Sequence, residues 1–326
     1  MKYTKKILAL ILAMALVLTL GACGDKGEKH FNPLTGEYTL DQEATRPVAV
    51  VINNLSVTQD VQAGVAAADI VFETEVEGGV TRLMAVYSDI SKVGKIGSLH
   101  GLRTAFAEIA WGMKALLLYN EMDEIYCRRV VEKSDMIHAA IEGNKYCARE
   151  ENGLIFEHRL YTSGSQLANL IADKGLDTNG SGEPWLLFSE DSSKIAAGSA
   201  AATNITVKYS TTSITKFIYD KDNKKYIRSN KKDVPFTDYE TGEQELFTNV
   251  FVLETSIQNY SDNYTQNVDL SSGKGYYISA GGVVEILWSK GDSASSLVLT
   301  TTSGETLTVN QGKSYFCIVD GTVTVE

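Results

Sequence analysis

Two patterns of hydrophobic and polar positions divide this chain of 326 residues. In the first half, short apolar runs rich in β-branched residues alternate with segments of helical spacing. The runs predict buried strands, at residues 48–52, 69–76, 81–87 and 115–119. The helical segments predict helices, at residues 61–68, 102–113, 124–133 and 165–174, the last of them capped by Gly175. The first half is therefore expected to be mixed α/β, with a layered sheet and helices.

The second half changes character from about residue 184 onward. Short runs rich in Thr, Val and Tyr alternate with turn residues, and no segment of helical spacing interrupts them. This pattern is typical of an antiparallel, β-rich structure. Ser, Ala and Gly concentrate at residues 189–203. We interpret this stretch as the boundary between an N-terminal domain at 31–190 and a C-terminal domain at 191–326, and the fold class predicted for the chain is α+β.

A charged and then apolar leader precedes both halves. Three lysines in the first six residues are followed by an almost uninterrupted apolar run at 7–20. This layout is typical of a secretory signal peptide, and the run is short for a membrane-spanning helix. The leader ends in Leu20, Gly21, Ala22 and Cys23, a sequence that resembles the bacterial lipobox.

The lipobox resemblance implies that residues 1–22 are removed and that the Cys23 thiol receives a diacylglyceryl group, so that the mature chain carries fatty acids such as palmitate. The alternative is an ordinary signal peptide followed by an incidental cysteine. Residues 23–30 are short and polar and are expected to be a tether. Two acyl chains give stable anchoring, so the protein is predicted on the extracytoplasmic face of the cell membrane.

Net charge limits the classes of partner. Residues 1–22 contain three lysines and no acidic residue, so the net charge of −11 becomes −14 once they are removed. Such an acidic surface repels nucleic acid and anionic headgroups, which argues against a nucleic-acid-binding role. The expected partners are the membrane, through the lipid at Cys23, and a cell-wall or envelope protein.

The number and spacing of the remaining cysteines argue against a disulfide framework. Cys127, Cys147 and Cys317 are three in number, and none belongs to a Cys-x-x-Cys pair. We expect buried free thiols, while a bridge between Cys127 and Cys147 stays open.

Charged residues of the first half form the best candidate for a functional site. Glu73, Glu75 and Glu77 recur at the two-residue period of a strand, which predicts that they share one face. Arg82 begins the returning strand after a glycine turn and is expected to reach them. Arginine and histidine beside carboxylates can hold a carboxylate, a phosphate or a sugar. The candidate ligand-binding residues are Glu75, Glu77, Arg82, Arg103 and His158.

Three interpretations of these residues stay open. Glu77 and Arg82 can form a structural ion pair at a hairpin while the other glutamates are solvated. The cluster can bind a polar ligand or an envelope partner without catalysis, which is the function we expect. The alternative is a hydrolase of cell-wall glycan or peptide that uses Glu75 or Glu77 as acid or base.

Known catalytic motifs give no further direction. The sequence lacks the phosphate-binding loops, the nucleophile elbow and the HExxH zinc motif. It has only four histidines, none of them four positions apart. No metal and no cofactor is therefore predicted, and both the catalytic residues and the question of catalysis itself stay open.

Several segments match one bacterial family in order from about residue 31 to 320. They are 32–36, 68–73, 76–82, 160–163, 219–229, 241–244, 249–250, 273–277, 288–290 and 304–305. These segments resemble the YerB-type lipoproteins, which carry a two-part domain of unknown function. The resemblance implies a membrane-anchored, extracytoplasmic protein with a layered α+β fold, and it implies no reaction.

The chain departs from the YerB-type pattern at polar positions. The family tends to have an acid where this chain has Asn53. It tends to have Pro-Val-Arg-Ser-Ala-Arg where this chain has residues 97–103, so only the second arginine, Arg103, is kept. His158 and Arg159 replace a His-Asn pair. An acid and an arginine are therefore lost, which puts in doubt whether the pocket keeps any chemistry of its relatives.

Overall fold

The computed structural model describes residues 28–191, 196 and 199–326. The predicted signal peptide, Cys23 and residues 24–27 of the predicted tether lie outside the described residues. The described part contains three α-helices and is otherwise dominated by strands, which confirms a β-rich α+β fold. None of its helices has the length and apolar character required to cross a bilayer.

The four strands and three of the four helices predicted for the first half form, together with six short strands that were not predicted. Its strands are β1 (His30–Phe31), β2 (Tyr38–Leu40), β3 (Val48–Asn53), β4 (Ile70–Val76), β5 (Val80–Tyr87), β6 (Lys95–Gly97), β7 (Leu116–Tyr119), β8 (His138–Ala140), β9 (Ala148–Arg149) and β10 (Leu160–Ser163). Its helices are α1 (Thr104–Gly112), α2 (Tyr126–Lys133) and α3 (Gly164–Lys174). Gly175 has φ +60° and caps α3 in the left-handed conformation, as predicted.

The second half contributes strands alone among its described residues. They are β11 (Leu187–Phe188), β12 (Ala200–Ala201), β13 (Asn204–Lys208), β14 (Ile214–Asp220), β15 (Lys225–Ser229), β16 (Leu246–Phe247), β17 (Asn249–Glu254), β18 (Ile257–Asn259), β19 (Gln266–Val268), β20 (Ser272–Ser279), β21 (Gly282–Ser289), β22 (Val298–Thr301), β23 (Thr308–Val309), β24 (Ser314–Val319) and β25 (Thr322–Val325).

Strands from both halves join in one central sheet of eleven strands. Its order is β12-β21-β20-β17-β24-β4-β5-β3-β7-β8, with β22 paired to β21. A second, five-stranded sheet has the order β16-β15-β14-β13-β25. The central sheet is therefore built from the first half on one side and from the second half on the other, and they meet where β24 pairs with β4.

Apolar layers cover both faces of the central sheet. One face packs against the five-stranded sheet and α3, and the other packs against α1 and α2. The middle strands β3 and β24 are buried along their whole length. Their sequences are therefore continuous apolar runs and do not alternate between apolar and polar residues. The cysteines Cys127, Cys147 and Cys317 are buried within these layers and are free, so Cys127 and Cys147 do not form a bridge.

The antiparallel pairing predicted for the second half is wrong at β24. This strand runs parallel to β17 on one side and parallel to β4 on the other. A strand that is buried on both faces in the middle of a sheet can pair in parallel when the connecting chain passes over the sheet. The remaining long strands of this half, β13 to β15, β20 and β21, pair antiparallel as predicted.

The helix predicted at residues 61–68 is also wrong. This segment forms a short 3₁₀ turn at Gln59–Val61 followed by irregular turns. Gly64 has φ +88° and its N–H donates to the Asp238 carboxylate at 2.6 Å. A left-handed residue tied to the other half of the chain interrupts the helical pattern that the alanines suggest.

A buried polar network holds the two halves together. Arg228 is fully buried, and its Nη1 lies 2.8 Å from the Glu245 carboxylate, which is 1% exposed. Arg228 Nη2 donates to Asn54 Oδ1 at 2.9 Å, and Asn54 Nδ2 donates to Glu73 at 2.8 Å. The Tyr315 hydroxyl donates to the same Glu73 carboxylate at 2.6 Å. The network thus joins β4 to strands that come from the far end of the chain.

Removing one partner of this ion pair leaves the other buried without compensation. We expect Glu245→Ala to lower the free energy of unfolding by about 3–5 kcal/mol, measured by urea unfolding at neutral pH. The matched control is Asp233→Ala, which breaks the exposed ion pair with Lys216 and is expected to cost at most about 1 kcal/mol. Equal losses in the two variants would contradict a structural role for the buried pair.

Candidate functional site

Several of the predicted site residues converge at one end of the central sheet, on the face that packs against α1. Asn53, the last residue of β3, lies directly opposite Arg82 of β5, and Arg82 lies opposite Thr74 of β4. These positions are in phase with the strand residues that pack against α1. The segment leading into α1 crosses the same end through a bridge between Ile52 and Leu99. We call Glu77, Arg82, His100, Arg103 and His158 the arginine cluster.

Arg82 is a buried cation without a carboxylate partner. The residue is 7% exposed, its Nη1 donates to the Gly101 carbonyl, and its Nε has no hydrogen-bond partner. No carboxylate of the described residues lies within ion-pair distance of it. Burial, and then the neighbouring Arg103 charge, lower the pKa of Arg82 to about 9, and the more distant Glu77 and Glu157 offset this only in part. The guanidinium is still charged at neutral pH, so the fold carries a poorly compensated buried charge.

Glu77 is committed to Arg103. Arg103 Nε donates to both Glu77 oxygens at 2.9 and 2.8 Å, and Nη2 lies 2.8 Å from Oε2. The backbone N–H of Gln266, on β19, donates to the same carboxylate at 3.4 Å. Burial alone would raise the pKa of Glu77, but the hydrogen bond and charge of Arg103, together with Arg82, outweigh it and lower the pKa. Glu77 is therefore ionised at neutral pH, and its ion pair is with Arg103 rather than with Arg82.

Both histidines of the cluster accept a hydrogen bond at Nδ1. The Gly101 N–H donates to His100 Nδ1 at 2.8 Å. Asn53 Oδ1 accepts from the Leu55 N–H at 3.1 Å, which orients the Asn53 amide so that its nitrogen donates to His158 Nδ1 at 3.2 Å. A neutral ring that accepts at Nδ1 carries its proton on Nε2. Each ring thus has an Nε2–H donor left, and the ring centroids are 6.5 Å apart.

Burial, followed by the charges of Arg82, Arg103 and His158, lowers the pKa of His100 to about 3. This side chain is therefore neutral in the folded protein at every physiological pH.

The two guanidiniums flank a position that has no side chain. A Cβ added to Gly101 would lie 3.3 Å from Arg103 Nη1 and 3.5 Å from Arg82 Nη1. Arg103 is also the N-cap of α1, and the positive end of the helix dipole adds to the charge there. The site offers many donors, and its carboxylate, Glu77, is already engaged. An arrangement of this kind suits an anion that accepts hydrogen bonds.

The structure does not bring the other glutamates to this cluster. Glu75 pairs with Thr81 and faces the opposite side of the sheet from Arg82. Burial, and then the Asp320 carboxylate, raise the pKa of Glu75. Glu73 lies on that same opposite face, in the buried polar network. The expected single face holds for Glu73 and Glu75 but fails for Glu77, because β4 ends at Val76 and the chain then enters a 3₁₀ turn.

Sequence reasoning missed the parts of the site that tertiary structure supplies. Thr74 lies opposite Arg82, and its buried Oγ1 also lacks a hydrogen-bond partner. Gly101 lets both guanidiniums approach the backbone closely, since a Cβ there would lie 3.3 Å from Arg103 Nη1, and Gln266 reaches Glu77 from the second half. No local pattern marks any of these three. In the described residues no group of three His, Cys, Asp or Glu side chains is placed to hold a metal ion.

Comparisons with known proteins agree on a single family. Two family models match the chain: Protein of unknown function (DUF3048) N-terminal domain at residues 34–177, and Protein of unknown function (DUF3048) C-terminal domain at residues 205–316. A Bacillus subtilis (strain 168) protein named "Putative lipoprotein YerB" is 28% identical over 317 residues, which cover 91% of this chain and 88% of the relative. The crystal structure of YerB protein from Bacillus subtilis matches with a TM-score of 0.75 and 26% identity, over 90% of this chain and 99% of that one.

This chain belongs to the YerB-type family. The expected departure from the YerB-type pattern at Asn53 falls directly opposite Arg82. An acid at this position would face the buried guanidinium and compensate its charge, whereas the Asn53 amide is neutral. In this chain Asn53 therefore supplies no counter-ion to Arg82.

His100 gives the stability of the protein a defined pH dependence. Its folded-state pKa of about 3 lies below the ordinary value of 6.5, so the unfolded chain binds a proton first as the pH falls through 6.5. The free energy of unfolding therefore decreases progressively as the pH falls from 6.5 to 3. At pH 5 the loss from His100 amounts to about 2 kcal/mol in the free energy of unfolding.

We expect His100→Gln to lack this contribution, so that its free energy of unfolding falls less than that of the wild type between pH 7 and pH 5 in urea titrations. Identical pH dependences for the two proteins would show that His100 protonates as readily in the folded chain as in the unfolded one.

Proposed function

We propose that this protein is a lipid-anchored, extracytoplasmic binding protein whose arginine cluster holds the carboxylate or phosphate group of a polar ligand or envelope partner without catalysis. One observation carries the proposal: Arg82 is buried and charged, its Nε has no hydrogen-bond partner, and no carboxylate of the described residues pairs with it. Burying a cation without a partner costs several kcal/mol. A fold that retains such a cation beside a second arginine is stabilised when it binds an anion from solution.

The composition of the cluster supports an anion over a neutral or cationic ligand. Arg82 and Arg103 carry two positive charges against the one negative charge of Glu77. Both histidines offer Nε2–H donors. Arg82 and Arg103 both place Nη1 close to Gly101, and guanidinium N–H groups suit the oxygens of a carboxylate or a phosphate.

The states of the carboxylates support binding rather than hydrolysis. Glu77 has a lowered pKa and a bidentate bond to Arg103, so it has no proton to donate to a leaving group at neutral pH. Glu75 has a raised pKa, which is the observation that favours the hydrolase. It lies on the other face of the sheet from the arginines, however, where it cannot act on a group that they hold.

The lipid anchor is supported by residues 20–23 and by the name of the Bacillus subtilis relative. We expect the wild type, expressed in a bacterial host, to incorporate labelled palmitate and to sediment with membranes. Cys23→Ser is expected to lose the label and to leave the membrane fraction. Cys147→Ser, the matched control, is expected to keep both properties. A labelled Cys23→Ser protein would overturn the anchoring proposal.

The anion site is tested by isothermal titration of the full-length protein with succinate and with its neutral diamide, succinamide. We expect succinate to bind and succinamide not to bind. Arg82→Met is expected to weaken succinate binding by roughly tenfold or more, because a charge-assisted hydrogen bond is lost. Asn53→Asp is expected to act in the same direction, because it supplies an internal counter-ion.

A control variant and an unfolding measurement distinguish a loss of ligand binding from a loss of folded structure. Arg46→Met removes a guanidinium at the other end of β3 and is expected to leave succinate affinity unchanged. Arg82→Met is expected to raise the free energy of unfolding of the ligand-free protein by about 1 kcal/mol, because it removes a buried charge. Equal binding of succinate and succinamide, or wild-type affinity in Arg82→Met, would refute the proposed site. Chemical change of the bound ligand would refute the absence of catalysis.

A further inference from the structure

A polar cavity opens on the face of these strands opposite the arginine cluster, where the two halves of the chain meet. It has a volume of about 190 Å³. It is lined by some of the residues between 54 and 81 in the first half and between 212 and 232 in the second. Its walls consist mainly of hydroxyl and amide side chains, with Glu73 at the buried end. It is distinct from the arginine cluster, because Glu73 and Arg82 project to opposite faces of the sheet.

Glu73 fixes the direction of the hydroxyl groups around it. Thr81 Oγ1 donates to Glu73 at 2.7 Å, and Thr215 Oγ1 lies 3.0 and 2.9 Å from its two oxygens. Asn54 Nδ2 and the Tyr315 hydroxyl supply the remaining donors, at 2.8 and 2.6 Å. A carboxylate only accepts hydrogen bonds, so the hydroxyl protons of Thr81 and Thr215 are directed at Glu73. Asn54 Nδ2 also donates to Thr81 Oγ1 at 2.7 Å, so the acceptor capacity left for a ligand lies on Thr215 and on one lone pair of Thr81.

The rest of the lining complements these acceptors. Lys231 and Lys232 bring donors to the cavity, while Ser56 brings a hydroxyl that both donates and accepts. Val80 and Ile214 add apolar surface. The lysines are balanced by Glu73 and Asp60, so the lining has no net charge to select an ion. A lining that combines donors, acceptors and small apolar surfaces suits a neutral molecule with several hydroxyl groups on a carbon ring.

We propose that this cavity binds a small neutral polyol, about the size of a single sugar ring, with its hydroxyl protons directed at Thr81 and Thr215. The inference does not depend on the anion site, since the two sites use different residues on different faces of the sheet. Thr215 comes from the second half and Thr81 from the first, so the ligand would contact both halves at once.

The probes are D-glucose, N-acetyl-D-glucosamine and myo-inositol, each at millimolar concentration with the full-length protein in a detergent that lacks a sugar headgroup. Saturation-transfer-difference NMR is expected to show binding of at least one of them. Thr215→Val is expected to weaken that binding by about tenfold, because it removes a fixed acceptor. Thr206→Val is the matched control in the neighbouring strand, on the outer face of that sheet, and is expected to bind as the wild type does.

Because Thr215→Val also removes a donor from Glu73 and can impair folding, a second variant keeps the test decisive. Ser56 is exposed at the cavity, so Ser56→Trp is expected to fill the cavity and abolish polyol binding without lowering the melting temperature. Arg82→Met is expected to bind the polyol normally, which separates failure here from failure of the anion site. Absence of a signal from all three probes, or an unchanged signal in Ser56→Trp, would overturn the inference.

Discussion

The parallel pairing of β24 with β4 is the interaction on which the rest of this structure depends. It joins strands that are about 240 positions apart in the chain, as Phe316 opposite Phe72 shows. It closes the central sheet and places the Tyr315 hydroxyl on Glu73. Through Glu73, Asn54 and Arg228 the same contact reaches Glu245, so the apolar core and the buried polar network are fixed together. Neither half buries its side of this contact without the other.

Strands β4 and β5 present different chemistry on their two faces. On one face, Arg82 lies beside Arg103 and Glu77 and gives the surface near α1 an excess of positive charge. On the other face, Glu73 saturates its hydrogen bonds with hydroxyl and amide groups and leaves a neutral polar lining. Because successive strand residues point in opposite directions, the change of one position, from Thr81 to Arg82, separates the two environments. The two sites that we propose would thus lie on opposite faces of a single hairpin.

Much of the first half could be predicted because its signals are local. The apolar runs that became β3 to β5, the spacing in α1 to α3 and the left-handed cap at Gly175 each depend on near neighbours. The direction of β24 could not be predicted, since an apolar run has the same pattern in either direction. The segment at 61–68 failed for a similar reason: Gly64 is held by Asp238, a contact that no local pattern records.

The candidate site was predictable in part. Arg82, Arg103 and Glu77 do gather at one end of the sheet, as their positions around the hairpin and the helix start suggested, and His158 joins them from a separate 3₁₀ turn at Phe156–His158. Glu75 does not, because the register of β4 against β5 directs it to the other face. The expected neighbour of Arg82 was Glu77, yet Arg103 has taken that carboxylate. Side-chain competition of this kind depends on distances that the sequence does not contain.

The position of β24 near the end of the chain also limits when the protein can fold. Long-range contacts close slowly, and here the middle of the sheet stays open until residues 314–319 are available. A chain that passes through a membrane from its amino terminus would therefore lack its central sheet until residues 314–319 had crossed. The pairing of β24 with β4 would then close the central sheet on the side to which the chain had moved.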